Sequence, residues 1–138
     1  MDEVERTRET ERRRATILFA DLTGFTSFVE QAGDEEAYGV VTECLKLLDA
    51  IARRHGASVD KYMGDCVMAV FGVPRAIENA PRAAVNAAIE MLRAVGDYTG
   101  RLRIAKPLGI HVGIDTGSVV SGDISGPVAR EFAVMGTR

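Results

Sequence analysis

The chain has 138 residues, which suits one domain on the usual scale of roughly 100–200 residues each. Seventeen Lys and Arg against twenty Asp and Glu leave a formal charge of −3, which argues against a broad basic surface for nucleic acid. A composition 46% hydrophobic and 27% charged fits one soluble globular core and is too apolar for disorder.

No apolar run approaches the ~20 residues that span a bilayer, so direct membrane insertion is not expected. The N-terminus is too charged for a secretory signal. Cys44 and Cys66 are too few for a disulfide scaffold, and neither belongs to a CxxC pair. They read as two buried apolar thiols in a reducing, cytoplasmic compartment.

Residues 1–14, MDEVERTRETERRR, hold five acids and five bases with almost no apolar content. Such a stretch has no face to bury and reads as a solvated leader or linker, where an upstream regulatory domain would join a longer protein. The domain proper is expected over 15–138. Ala15–Ala20 is a short apolar run of strand formers that ends at Asp21, after which DLTGFTSF turns the chain into a helix. A longer helix opens at Asp34, its N-cap candidate, with acids in the first turn. Ala37, Val40, Val41, Cys44, Leu48, Ile51 and Ala52 recur on one face, and Arg53, Arg54, His55 and Gly56 form the stop.

Ala57–Tyr62 and Cys66–Phe71, separated by Met63-Gly64-Asp65, predict a β-hairpin whose second arm is apolar on both faces. Gly72-Val73-Pro74 breaks it. A third helix follows, with Pro81 in its first turn and Ala84, Ala88, Met91, Leu92 and Val95 as its buried stripe, closed by Gly96 and Gly100. Leu108–Ile114 and Val119–Ile124 predict a second hairpin turning at Asp115-Thr116-Gly117-Ser118, and Glu131–Met135 a last strand. The order implies an α+β sandwich with helices on one face of a largely antiparallel sheet.

Chemistry concentrates at two strand ends. Asp21 closes an apolar strand just ahead of a glycine turn and a helix N-terminus. A carboxylate there can hold a cation while the helix amides bind the phosphate that the cation neutralises. The plain alternative makes Asp21 a helix N-cap and Gly24 a turn residue. Asp65 follows a hairpin turn and is on its own an ordinary turn residue. Should the first strand lie beside that hairpin, both carboxylates reach one edge of the sheet, where they repel unless divalent ions separate them. That arrangement suits two-metal phosphoryl chemistry. Lys61, on the partner arm, is otherwise a solubilising strand lysine.

His55 reads as a helix C-terminal cation and His111 as a strand residue, neither in metal-ligand spacing. There is no GxSxG serine, no Cys/His pairing and no GxxxxGK[ST] loop.

FADLTGFTSF (19–28), DKYMGDCVMAVFG (60–72), LGIHVGIDTGSVVSGDIS (108–125) and REFAVMG (130–136) together resemble the class III adenylyl/guanylyl cyclase catalytic domain. The blocks run in the family's order at its spacing. The resemblance implies a ferredoxin-like, palm-like α+β domain that pairs head to tail as a homodimer with active sites at the interface. It implies that Asp21 and Asp65 hold two Mg²⁺ or Mn²⁺ ions, with the Leu22 carbonyl on one of them. Thr23, Gly24, Phe25 and Thr26 match the loop around the triphosphate, and Lys61 matches the base-recognising lysine of adenylyl cyclases. A lysine ammonium only donates, so it suits the adenine N1 acceptor and favours ATP over GTP.

The second base-recognition position falls at Ala133, which cannot accept from the adenine amino group. The residues stop at Gly136-Thr137-Arg138, short of the family's V-N-x-A-x-R-like segment, so a C-terminally incomplete domain is expected. The leading expectation is conversion of ATP to 3′,5′-cyclic AMP and pyrophosphate. The alternatives are a guanylyl cyclase, or a nucleotide-binding and dimerisation module without turnover. A dinucleotide cyclase is disfavoured by the lack of a GGDEF-like stretch.

Overall fold

A computed structural model describes residues 11–62, 66–102 and 108–121. In chain order these form β1 (Glu11–Thr23), α1 (Phe25–Ala32), α2 (Asp34–Arg54), β2 (Ser58–Tyr62), β3 (Cys66–Phe71), α3 (Ala80–Gly100) and β4 (Gly109–Ser121). The four strands make one sheet in the order β2-β3-β1-β4, with every neighbouring pair antiparallel. Strands adjacent in space are thus not all adjacent in sequence. The helices carry the chain from β1 to β2 and from β3 to β4, as in a ferredoxin-like, palm-like sandwich.

Alternation along the strands decides which face the helices cover. Leu18, Ala20 and Leu22 of β1 and Val67, Ala69 and Phe71 of β3 enter the main core. They meet Phe28 of α1, the α2 stripe from Ala37 to Ala52, and Ala84, Ala87, Ala88, Met91 and Val95 of α3. All three helices therefore lie on one side. The intervening residues Ala15, Ile17, Met68 and Val70 form a smaller cluster on the other side, with Phe19 packed against it. β3 is apolar on both faces because both clusters use it.

The caps follow local chemistry. α2 begins at Asp34 with three acids in its first turn and ends with Arg53 and Arg54, both complementary to the helix dipole. Its N-cap is Gly33, so Asp34 is the first helical residue and not the cap predicted for it. α3 is capped by Asn79, whose side chain accepts from the Arg82 backbone N–H at 3.2 Å, with Pro81 in the first turn. Gly72 leaves β3 at φ +105°, a conformation that favours glycine, and a Cβ there would stand 3.1 Å from the Arg14 carbonyl oxygen.

Several expectations need correction. β1 starts at Glu11, so the last four residues of the expected leader belong to the sheet. The Arg13 guanidinium explains part of this, donating to the carbonyls of Gly72 and Pro74, each at 2.9 Å. The turn predicted at Asp115–Ser118 is absent: β4 is one continuous strand paired with β1 from Thr23↔Gly109 to Glu11↔Ser121. Thr116 sits opposite Thr16, their hydroxyls 2.8 Å apart, and the long ladder overrides the local turn preference. Leu92 is 50% exposed and not part of the α3 stripe, and Gly96 lies within that helix. Cys44 is buried as expected, but Cys66 is only half-buried. The strand predicted at Glu131–Met135 lies outside the described residues.

A polar clasp ties α2 to α3. Arg54 donates to both carboxylate oxygens of Glu90, and His55 Nε2 lies 2.8 Å from Glu90 Oε1. The Arg54 and His55 hydrogen bonds hold the Glu90 carboxyl down at about 2. Burial pushes the Cys44 thiol up to about 11, which keeps it an inert core thiol. No described helix is long and apolar enough to cross a membrane.

Candidate active site at the end of the first strand

Asp21 is the third-last residue of β1, on the strand parity of Ile17 and Phe19, and so on the face away from the helices. Its neighbours Ala20 and Leu22 are buried in the main core. The strand is thus anchored on one face while its last carboxylate is exposed on the other. After Thr23 the chain turns at Gly24 in the left-handed region, φ 84° and ψ 5°, directly into α1. Gly24 is the helix N-cap and no side chain caps the helix. The reading of Asp21 as that cap is therefore wrong, and the first-turn amides are not taken by a capping side chain. The Gly24 carbonyl accepts from the Phe28 N–H at 3.1 Å, which locks the turn onto the helix.

Thr23 pairs with Gly109, and a Cβ at that glycine would come within 3.3 Å of Thr23 Oγ1. The missing side chain on β4 leaves the Thr23 hydroxyl its room.

Asp21 is the register partner of Cys66 on β3 and of His111 on β4. Asp65 lies outside the described residues, but Cys66 is the residue joined to it by the next peptide bond. Lys61 pairs with Met68, which in turn pairs with Phe19, so its row across the sheet is two β1 residues from that of Asp21. The β2–β3 register shifts between Val59 and Lys61. The fold thus gathers Asp21, Leu22, Thr23, Gly24, Phe25 and Thr26 around one strand-to-helix corner, with Lys61 two strands away. Ala133 lies outside the described residues.

Sequence reasoning missed the placement of His111 beside Asp21. They are 90 positions apart in the chain. Only the β1–β4 register joins them, and no spacing motif could have revealed it. Among the described residues there is no group of three or more His, Cys, Asp or Glu side chains able to hold a metal ion. Exposed carboxylate oxygen is nonetheless the donor that Mg²⁺ and Mn²⁺ take, and Asp21 supplies it with no competing hydrogen bond or ion pair from another described residue.

This four-stranded antiparallel sheet with its helices on one face, and a carboxylate at a strand end leading into a helix N-terminus, is the palm-like architecture that nucleotidyl cyclase domains have. The family model for the adenylate and guanylate cyclase catalytic domain matches residues 8–138, and the chain belongs to that family. An adenylate cyclase from Anabaena cylindrica is 29% identical over 131 residues, covering 90% of this chain and 25% of that protein. A receptor-type guanylate cyclase from Caenorhabditis elegans is 28% identical over 123 residues, covering 88% of this chain and 11% of the relative. The crystal structure of the adenylyl cyclase CyaB from P. aeruginosa superposes with a TM-score of 0.76 at 33% identity, covering 87% of this chain and 64% of that one. That of the guanylyl cyclase Cya2 gives 0.66 at 31%, covering 86% and 61%. The chain spans a quarter or less of the length of these two curated relatives.

Proposed function

We propose that this chain forms the catalytic part of an adenylate cyclase, converting ATP to 3′,5′-cyclic AMP and pyrophosphate at a homodimer interface. The observation that carries this reading is the exposed Asp21 carboxylate, set on the open face of the sheet immediately ahead of the Gly24 turn and the α1 N-terminus, in a chain of the cyclase family.

Asp21, Asp65 and the Leu22 carbonyl would hold two Mg²⁺ or Mn²⁺ ions. When bound, such ions supply Lewis-acid activation of the attacking hydroxyl and neutralisation of phosphate charge. Asp65 is taken as the second carboxylate because its chain neighbour Cys66 is the register partner of Asp21. The Thr23–Thr26 segment receives the triphosphate, because backbone N–H groups at a helix N-terminus point at an anion and the helix dipole favours negative charge. Gly24, with no Cβ, lets a phosphate approach the backbone closely. In-line attack of the ribose 3′-hydroxyl on the α-phosphorus forms the cyclic ester and releases pyrophosphate toward those amides. Rate enhancement then comes mainly from positioning and fixed electrostatics.

Lys61 donates to adenine N1, a contact that guanine N1–H cannot accept, which is the basis for ATP over GTP. Relatives carry both the adenylate and the guanylate name, so the deciding experiment offers ATP and GTP in equal amounts and identifies the products by mass spectrometry. Cyclic AMP in excess, with Lys61→Glu lowering the ratio of cyclic AMP to cyclic GMP, is expected. A ratio unmoved by that substitution removes Lys61 from base recognition, and nucleotide binding without either product supports the module without turnover. Specific activity should also fall on dilution through the dimer dissociation constant. Constant activity far below it would count against shared sites.

A further inference from the structure

Asp21 has a register partner on each side, Cys66 on β3 and His111 on β4. Directly opposed residues of an antiparallel pair share a face, with Cβ atoms about 4.5–5.5 Å apart. His111 therefore stands on the open face beside Asp21, and both residues are exposed. Neither forms a hydrogen bond or ion pair with another described residue. The other histidine of the chain, His55, is by contrast engaged by Glu90 at 2.8 Å. Cys66 is half-buried, its thiol 3.9 Å from the Val67 carbonyl oxygen.

An imidazole and a carboxylate at this separation can meet on one ion, since metal–nitrogen and metal–oxygen bonds of about 2.0–2.2 Å are reached from facing strand positions. The donor types differ in what they prefer. Mg²⁺ takes oxygen, whereas imidazole nitrogen suits Ni²⁺ and Zn²⁺, which also stand higher in the general affinity order. The described residues provide no third side chain for a closed cage, which leaves other positions to the ligands already proposed for that site and to water and phosphate oxygens.

We propose that His111 is a protein ligand beside Asp21, giving the site an imidazole nitrogen that selects a borderline divalent cation over Mg²⁺. The inference rests on Asp21 being a metal-binding carboxylate, and makes His111 the residue that sets the cation preference of that same site.

The test is calorimetric titration of the untagged chain with Ni²⁺ and, separately, with Mg²⁺. It compares the wild type with His111→Ala, His111→Gln, Asp21→Ala and His55→Ala, each checked for fold by circular dichroism. Both His111 variants should lose at least the roughly tenfold in Ni²⁺ affinity that even an outer-sphere partner is worth, with Mg²⁺ affinity unchanged. Asp21→Ala should weaken both ions, and His55→Ala neither. In the Mn²⁺-loaded wild type, pulsed electron paramagnetic resonance should detect a directly bound nitrogen that disappears in His111→Ala. Unchanged Ni²⁺ affinity in the His111 variants, with both ions weakened by Asp21→Ala, overturns the role of His111 and leaves the carboxylate reading standing. No effect of Asp21→Ala on either ion overturns that reading itself. Loss of Ni²⁺ binding in His55→Ala assigns the nitrogen to the α2–α3 clasp and overturns the proposal.

Discussion

Replacing Asp21 separates a ligand from a structural residue, because the two roles predict opposite pairs of results. The carboxylate is exposed, no described residue bonds to it, and the cap of α1 is Gly24. Substitutions at such surface positions fall within about 0.5 kcal/mol, whereas loss of a true N-cap costs about 0.5–2 kcal/mol. For a domain of this size the first corresponds to roughly 1–3 °C in melting midpoint. Asp21→Ala and the isosteric Asp21→Asn should therefore melt within that margin of the wild type in metal-free buffer. Ligand binding gives the contrast. A nucleotide–metal complex at a hundred times its dissociation constant stabilises the folded state by about 2.7 kcal/mol, a rise on the order of 10 °C. Both variants should lose most of that rise.

Turnover should fall at least about a hundredfold, since metal assistance is worth several kcal/mol and each 1.36 kcal/mol is tenfold in rate. The assays are differential scanning fluorimetry with Mn²⁺ and a non-cyclisable ATP analogue, and chromatographic measurement of cyclic nucleotide. A drop of 5 °C or more in either variant without ligand would refute the reasoning, as would a ligand-induced rise in the variants as large as that of the wild type.

Other expectations concern the frame around the site. Gly72→Ala places a Cβ 3.1 Å from the Arg14 carbonyl oxygen at φ +105°, and should cost about 1–3 kcal/mol in urea denaturation; an unchanged midpoint would contradict the close approach. Leu48→Ala empties a fully buried position of α2 and should cost about 2–5 kcal/mol in the same assay, a loss below about 1 kcal/mol meaning that the core is looser than described. Glu90 has its pKa lowered from an ordinary 4.5 to about 2, so the clasp's contribution is present above pH 4.5 and is lost as pH falls from there toward 2. Solvent exposure of the clasp keeps that contribution small. Glu90→Gln should flatten this acid limb in a melting series against pH, and an identical limb in both proteins would remove Glu90 from the linkage.

The elements best seen from the sequence are those whose local chemistry and burial agree. α2 has acids at its start, bases at its end and a single apolar stripe, and the structure gives Asp34–Arg54. Cys66–Phe71 has strand formers on both faces because two clusters share it. Errors fall where distant pairing outweighs local preference. Glu11–Arg14 look like a solvated leader until Arg13 is seen holding the carbonyls beyond β3. Asp115-Thr116-Gly117-Ser118 look like a turn until Thr116 meets Thr16 across the ladder. The candidate site divides in the same way. The run Asp21 to Thr26 is contiguous and was legible as a strand-to-helix corner, whereas His111 joins it only through register.

That register is itself a consequence of the core, which links stability to chemistry. Leu18, Ala20 and Leu22 on β1 must face the helices together with Val67, Ala69 and Phe71 on β3. With a side-chain period of two, a one-residue slip would send either set to the open face, so apolar burial forbids it. The alignment that satisfies the core sets Leu18 opposite Ala69 and Ala20 opposite Val67, and Asp21 then falls opposite Cys66. On the other side the same strand sets Leu18 opposite Ile114, Ala20 opposite Val112 and Leu22 opposite Ile110, which puts Asp21 opposite His111. No attraction between the polar groups is needed to bring them together. The apolar face fixes the polar one, so Asp21 and His111 come to lie side by side on the open face although neither side chain bonds to another described residue.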